Sequence, residues 1–66
     1  MSTTDRHLTS MANGTDWTLW VITRPRIGAR YMLVSPSGRM LMRYTAAQVA
    51  MKDAAQHGAI IRHWTD

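Results

Sequence analysis

The stretch Arg30-Tyr-Met-Leu-Val-Ser-Pro-Ser-Gly-Arg-Met-Leu-Met-Arg-Tyr44 decides the fold of this 66-residue chain. Two apolar and aromatic runs flank the segment Ser35-Pro-Ser-Gly38, an arrangement typical of a β-hairpin. Pro36 presets the backbone at the second turn position, and Gly38 can adopt the left-handed conformation of a three-residue loop with a bulge. The sequence therefore predicts two antiparallel strands joined by a tight turn.

The predicted turn also sets a register, in which Val34 pairs with Met40 and Met32 pairs with Met42. Because side chains alternate along a strand, each face of the hairpin then has its own composition. The face expected in the core carries Met32, Val34, Met40, Met42 and Tyr44. The opposite face mixes aromatic, aliphatic and cationic side chains, namely Tyr31, Leu33, Arg39, Leu41 and Arg43.

Two further β-rich segments lie outside the hairpin. The segment Trp17-Thr-Leu-Trp-Val-Ile-Thr23 is rich in β-branched and aromatic residues and predicts a strand. Both of its faces carry large apolar groups, so we expect either a central position in the sheet or a contact that covers its second face. Residues 24–30 contain Pro25 and Gly28 and predict a loop. Residues 59–64 predict a last strand, either parallel to a neighbour or at an edge.

A helix is predicted between the hairpin and the last strand, from Thr45 to about His57. Thr45 and Gln48 have the spacing of a capping box, and Gly58 is placed as a left-handed C-cap. The expected buried face has mostly small residues, which permits a close approach between helix and sheet. This face carries Ala46, Ala47, Ala50, Met51 and Ala54.

The element order β-β-β-α-β predicts the α+β class, with a small, mainly antiparallel sheet and one helix packed on one face. Residues 1–14 are polar, rich in Ser and Thr, and without periodicity, so a disordered N-terminal tail is expected there. Residues 15–66 are expected to form a single small α+β domain.

Composition excludes several classes of function. The chain has no Cys, so disulfides and thiolate metal sites are excluded, and it is too short to enclose an ordinary cofactor cavity. The four Asp are scattered and no nucleophile or phosphate-loop motif is present, so we expect no enzyme, cofactor or small-molecule substrate. His7, His57 and His63 do not form a metal-binding set. The short apolar runs predict a soluble, cytoplasmic protein without a membrane segment.

Arginine is the strongest functional signal. Net charge is +4, and five of the cations lie between residues 15 and 44 with a single anion, Asp16. Guanidinium groups bind phosphate and carboxylate oxygens and stack on planar rings, and cations interleaved with aromatics are common on single-stranded nucleic-acid platforms. The competing interpretation is a solvated surface kept soluble by Arg. The candidate binding residues are Arg24, Arg26, Arg30, Tyr31, Arg39, Arg43 and Trp20.

A second signal is surplus apolar surface. In the predicted register, Trp20, Ile22, Leu33 and Leu41 face away from the helix, which is a large exposed area for so small a chain. Such a surface indicates a homodimer or a docking site for another protein, unless the tail covers it or the register is shifted by one residue.

These observations predict a small, non-catalytic, basic module that binds nucleic acid through the arginines and aromatics. The alternative is a protein-binding inhibitor or adaptor that uses the same face on an acidic surface of a nucleic-acid-handling protein. In outline, three strands followed by a helix are similar to some small plant and integrase DNA-binding modules. In size and style the chain resembles small phage and plasmid proteins, including anti-CRISPR inhibitors. A purely structural dimerising domain is the third interpretation.

Overall fold

A four-stranded mixed sheet organises the chain in the computed structural model, which describes residues 3–66. The strands lie in the order β3-β2-β1-β4. The elements in chain order are α1 (Thr3–Ser10), β1 (Thr18–Arg24), β2 (Gly28–Val34), β3 (Met40–Tyr44), α2 (Ala47–Gln56) and β4 (Ile60–Thr65). The prediction of a small α+β domain with this strand and helix order is confirmed.

The strand pairing gives the sheet its mixed character. β1 pairs antiparallel with β2, and β2 pairs antiparallel with β3, whereas β4 lies parallel to β1. α2 carries the chain from the β3 edge of the sheet to the β4 edge, because a parallel pairing needs a crossover connection. The predicted central position of β1 is confirmed. β4 is both parallel to a neighbour and an edge strand, so it combines the two placements that were expected as alternatives.

The β2–β3 hairpin follows the predicted turn but not the whole predicted register. Gly38 has φ of 89°, and its N–H donates to the carbonyl oxygen of Ser35 at 3.0 Å. Val34 pairs with Met40 as expected. The register then shifts, so that Leu33 pairs with Met42. The expected pairing of Met32 with Met42 is therefore wrong, because a bulge adds one residue to β3.

The bulge redistributes side chains between the two sides of the sheet. Beyond it, Met42 and Tyr44 share the side of Leu33, and Arg43 moves to the side of Met32. Each side has its own apolar cluster. We call the two sides of the sheet the α1 face and the α2 face, after the helix that packs on each. The cluster at the α1 face consists of Leu8, Trp20, Ile22, Met32 and Val34. The cluster at the α2 face consists of Leu19, Leu33, Tyr44, Ala50 and Ala54. The expected single core face is thus corrected: its residues divide between two faces, and Met42 is 53% exposed.

α1 occupies a segment that the sequence predicts to be a disordered tail. Leu8 is fully buried in the α1-face cluster. The segment also contacts the hairpin turn, since the Gly14 N–H donates to the Pro36 carbonyl oxygen at 2.9 Å. A Cβ on Gly38 would lie 2.9 Å from the Thr9 carbonyl oxygen. The tail prediction is therefore corrected for residues 3–10, and its first two residues lie outside the described part of the chain.

Burial by α1 also changes the predicted surplus of apolar surface. Trp20 and Ile22 are buried beneath α1, and Leu33 is buried on the α2 face. Leu41 alone of the four predicted residues is exposed, at 48%. The expected open apolar face is therefore wrong, because one helix covers each side of the sheet.

The C-terminus of α2 follows the prediction, whereas its N-terminus does not. Its N-cap is Ala46, in an extended conformation and without a side-chain cap, so the Thr45 capping box does not form. The C-terminus follows prediction, because Gly58 has φ of 62° and the Ala59 N–H donates to the Ala54 carbonyl oxygen at 2.9 Å. This bond is the outer hydrogen bond of a Schellman motif.

The buried face of α2 includes fewer residues than predicted. Ala50 and Ala54 are buried, while Met51 is 43% exposed. Within residues 3–66, neither helix has the length and apolar character needed to cross a membrane.

Candidate functional site

Four of the five predicted arginines gather at one end of the sheet, around the β1–β2 turn. Arg24 ends β1, Arg26 lies in the turn, and Arg30 is in β2. Arg43 of β3 pairs with Met32, two residues further along β2 than Arg30. We call Arg24, Arg26, Arg30 and Arg43 the arginine end. Arg39 lies beside the β2–β3 turn at the opposite end of β2, so the structure separates it from the other four.

The β1–β2 turn presents Arg26 at its tip. Among residues 3–66, Arg26 is the one non-glycine residue with positive φ, at 69°. The Ile27 N–H donates to the Arg24 carbonyl oxygen at 3.3 Å, which closes the turn. Both turn residues are exposed, Ile27 by 70%. A bulky residue at positive φ is uncommon, and here it directs a cation and an apolar group away from the sheet.

Two carboxylates offset part of the charge of the arginine end. The Arg24 Nε is 3.0 Å from Asp66 Oδ2, and the Thr4 hydroxyl donates to Asp66 Oδ1 at 2.9 Å. The Thr4 hydrogen bond, with a smaller contribution from Arg24, lowers the pKa of Asp66. Arg43 forms an ion pair with Asp5 of α1, whose side chain is almost fully buried. Among the described side chains, these four guanidinium groups and their two carboxylate partners sum to +2.

A pocket of about 240 Å³ opens at the arginine end, beside β2. It exists because β3 stops at Tyr44, which pairs with Tyr31, while β2 continues to Gly28. Among the described residues, no strand therefore pairs with residues 28–30 of β2 on that side. We call this the Arg30 pocket; its lining is Asp5, Ile22, Arg30, Tyr31, Met32, Arg43, Tyr44 and Thr45.

Among the residues that line the Arg30 pocket, Tyr44 has a hydrogen-bond partner for its polar group and the Arg30 Nε–H does not. The Tyr44 hydroxyl donates to Asp53 Oδ2 at 2.7 Å. Burial, followed by this hydrogen bond, raises the pKa of Tyr44 to about 12, so the ring stays neutral near pH 7. By contrast, the Nε–H of Arg30 is buried and has no hydrogen-bond partner among the described residues. A buried donor without an acceptor is costly and marks a place where an acceptor is missing.

The predicted aromatic contributors have different positions. Trp20 is 3% exposed, and the Arg62 guanidinium lies 4.6 Å from the centroid of its ring. Trp20 is therefore not available to stack on a base, and its expected role is corrected, because α1 covers the face on which it lies. Tyr31 is half-buried and lines the Arg30 pocket. Its expected position on the same sheet face as Arg43 is also corrected, although both residues border the pocket.

The sequence analysis did not assign Asp5, Thr45 or Asp66 to the site, and it did not predict the contact of Arg62 with Trp20. Asp5 and Leu8 are one helical turn apart, and this spacing was the available signal that residues 3–10 have a buried side. Nothing local to Arg62 predicts its position, because that position depends on β4 lying beside β1.

Comparison with protein families, curated proteins and solved structures finds no match to this chain. Among the described residues, no group of three His, Asp or Glu side chains is placed to hold a metal ion. The chemistry of the arginine end is that of guanidinium donors beside an amphipathic pocket, an arrangement that can bind an anion with an apolar or aromatic part.

Proposed function

We propose that this chain binds nucleic acid through the arginine end. The observation that carries the proposal is the gathering of Arg24, Arg26, Arg30 and Arg43 on two hairpins, with two carboxylates to offset them. Phosphate contacts from Arg supply most of the sequence-independent affinity for nucleic acid. The net charge of +4 over the whole chain acts in the same direction.

A polymer of negative charges suits this arrangement better than an isolated anion does. Neighbouring strands are about 5 Å apart, so guanidinium groups on adjoining strands and at the turn tip cover an extended strip. A single small anion contacts one or two of them. A phosphate backbone can contact several in succession, which favours a nucleic acid as the ligand.

The first test is the salt dependence of binding. Affinity of the purified chain for a labelled single-stranded oligonucleotide is measured by fluorescence anisotropy at increasing KCl concentration. For single strands, log K falls against log salt with a slope of roughly −0.7 per phosphate neutralised, so two or three contacts give a slope of about −1.4 to −2.1. Absence of binding at low salt would contradict the proposal.

A charge-matched pair of variants then tests the location. Arg26→Gln with Arg30→Gln removes two charges from the arginine end, and Arg39→Gln with Lys52→Gln removes two exposed charges elsewhere. Both variants have the same net charge. We expect the first to lower affinity about tenfold or more and the second to lower it less than about threefold. Equal losses would show that net charge, rather than this site, controls binding.

A protein partner is a second candidate, favoured by apolar groups on both sheet edges. Leu41 and Met42 of β3 are 48% and 53% exposed, and Ile60 and Ile61 of β4 are 43% and 42% exposed. Edge strands with exposed apolar side chains can pair with another chain. A small phage- or plasmid-type inhibitor would use such an edge.

The protein-binding candidate has its own test. The chain is used to capture partners after nuclease treatment, in parallel with a variant carrying Leu41→Glu and Met42→Glu. A partner retained by the wild type and lost by the variant would support it. Sedimentation of the purified chain separates this outcome from self-association.

A further inference from the structure

The Arg30 pocket has more cationic than anionic side chains, and it contains an N–H donor without an acceptor. Among the described residues that line it, the charged side chains are Arg30, Arg43 and Asp5, which sum to +1. The Arg30 Nε–H is buried without an acceptor among the described residues. Arg43 directs its Nε to the Met40 sulfur at 3.4 Å and a terminal nitrogen to Asp5, yet its side chain remains 44% exposed. Arginine has more N–H donors than these contacts occupy, so both guanidinium groups have capacity for a ligand.

We infer that the Arg30 pocket binds one nucleotide of a single strand, with its phosphodiester group at Arg30 and Arg43 and its base against Tyr31. This inference rests on the proposed function and names the unit that the pocket holds. It goes further than general electrostatic binding, because it requires a defined place for one phosphate and one base.

Charge balance selects the phosphodiester. A pocket at +1 is neutralised by one monoanion, and an internal phosphodiester carries a single negative charge. A terminal phosphate carries roughly −1.5 to −2 at pH 7 and would bring its excess charge close to the Asp5 carboxylate. Asp5 is almost fully buried and is held by Arg43, so it stays beside the ligand. The pocket is therefore expected to prefer a diester to a terminal phosphate.

The size and lining of the pocket select a single unstacked base. Its volume of about 240 Å³ is too small for a base pair. Ile22 and Met32 line the pocket from the α1 face, where both are buried, and Tyr31 and Tyr44 line it from the α2 face. Tyr44 is buried and held to Asp53 by its hydroxyl, whereas Tyr31 packs against the edge of the α2-face cluster and is only half-buried, so Tyr31 is the ring with surface left for a base. Bases in single strands stack on such rings, whereas duplex bases do not reach them.

The Arg30 Nε–H gives a direct readout, because a buried N–H exchanges slowly and its NMR signal can be followed. The full chain is titrated with thymidylyl-thymidine, which has one phosphodiester and no terminal phosphate. The controls are thymidine, which has no phosphate, and inorganic phosphate, which has no base. We expect the dinucleotide to shift the Arg30 Nε–H signal at a concentration at least about tenfold lower than either control.

Variants at the pocket complete the test. Arg30→Lys keeps the charge but lacks the Nε–H and the planar fork, and Tyr31→Leu removes the ring while keeping an apolar side chain. Each should weaken oligonucleotide binding about fivefold or more, whereas the matched Arg39→Lys should leave it within about twofold. Circular dichroism of each variant checks that the fold is retained.

The outcomes separate this inference from the proposed function. If oligonucleotides bind and their affinity falls with salt, but the Arg30 Nε–H signal stays fixed and Arg30→Lys binds like wild type, the pocket inference is overturned and the proposed function stands. If the dinucleotide shifts the signal but longer strands bind no more tightly, the pocket stands and the proposed function fails. Tighter binding of inorganic phosphate than of the diester would overturn the charge argument.

Discussion

At the residue scale, Tyr44 shows how one side chain joins two parts of the structure. It ends β3, is buried in the α2-face cluster and donates to Asp53 of α2. Its pKa of about 12 lies above the value near 10 for an unfolded tyrosine. The folded state therefore holds this proton more tightly. The resulting stabilisation is complete below about pH 10 and is lost as the pH rises from 10 towards 12.

Replacing Tyr44 by Phe tests this assignment. The variant loses a partly buried hydrogen bond, so the free energy of unfolding at pH 7 should fall by about 1 kcal/mol. In an absorbance titration at the tyrosinate band, the wild type should show an ionisation near pH 12 that the variant lacks. Tyr31→Phe is the matched control and should retain that step. If Tyr31→Phe also lacks the ionisation near pH 12, or if Tyr44→Phe retains it, the assignment of this pKa to Tyr44 is contradicted.

Single residues were predictable where backbone geometry alone decides their role. Gly38 and Gly58 were both expected at positive φ, and both adopt it, because a tight turn and a helix C-terminus need that conformation whatever surrounds them. Thr45 was not predictable in the same way. Its capping role depends on where α2 begins, and the helix begins at Ala47.

At the element scale, α1 and the bulge in β3 account for most of the differences between expectation and structure. An eight-residue helix is marginal in isolation and forms where packing stabilises it, so a local reading of a polar segment does not find it. The bulge lies one residue beyond the predicted Val34–Met40 pair, and it changes which face each later β3 side chain occupies. Both features depend on contacts that are distant in sequence.

The packing of α1 can be tested at Leu8. Because Leu8 of α1 is fully buried against the sheet, Leu8→Ala should lower the free energy of unfolding by about 2–5 kcal/mol, as for other buried leucines. Leu41→Ala, at an exposed position, should cost under about 1 kcal/mol. Urea denaturation measures both. Equal, small effects would mean that residues 3–10 behave as the disordered tail that the sequence suggests.

The contact between α1 and the hairpin turn has a separate test. Gly38 and Gly28 have similar positive φ values, 89° and 94°, but only at Gly38 does an added Cβ meet another atom, the Thr9 carbonyl oxygen at 2.9 Å. Each Gly→Ala change should cost about 1 kcal/mol or more for the backbone conformation. Gly38→Ala should destabilise the chain further than Gly28→Ala does. Equal thermal midpoints for the two variants would show that α1 is not held against the turn.

At the scale of the whole molecule, each face of the sheet packs against one helix, and the proposed function lies at one end of the sheet. A 66-residue chain has little core, and α1 supplies part of it. The arginine end lies where both hairpins and α1 meet. Asp5 of α1 pairs with Arg43, and Thr4 of α1 donates a hydrogen bond to the Asp66 carboxylate that pairs with Arg24. The choice of Arg24, Arg26, Arg30 and Arg43 came from sequence; their grouping apart from Arg39 came from the register.

The dependence of the whole molecule on α1 leads to a prediction for a chain that starts at Met11. Such a chain lacks Leu8 and leaves Trp20 and Ile22 uncovered. A domain of this size has roughly 3–10 kcal/mol of stability, so this loss should unfold it or make it self-associate. Tryptophan fluorescence and sedimentation velocity measure both results. A stable monomer with the wild-type emission maximum would contradict the structural role of α1.

The central claim, that nucleic acid binds at the arginine end, is tested most directly by mapping backbone amide shifts of the full chain during titration with a single-stranded oligonucleotide. The largest changes are predicted at residues 24–31 and 43–45, around the β1–β2 turn and the Arg30 pocket. Residues 35–39 and 48–56, at the other turn and along α2, should change little. Shifts concentrated at those two control segments, or no shifts at low salt, would contradict the claim.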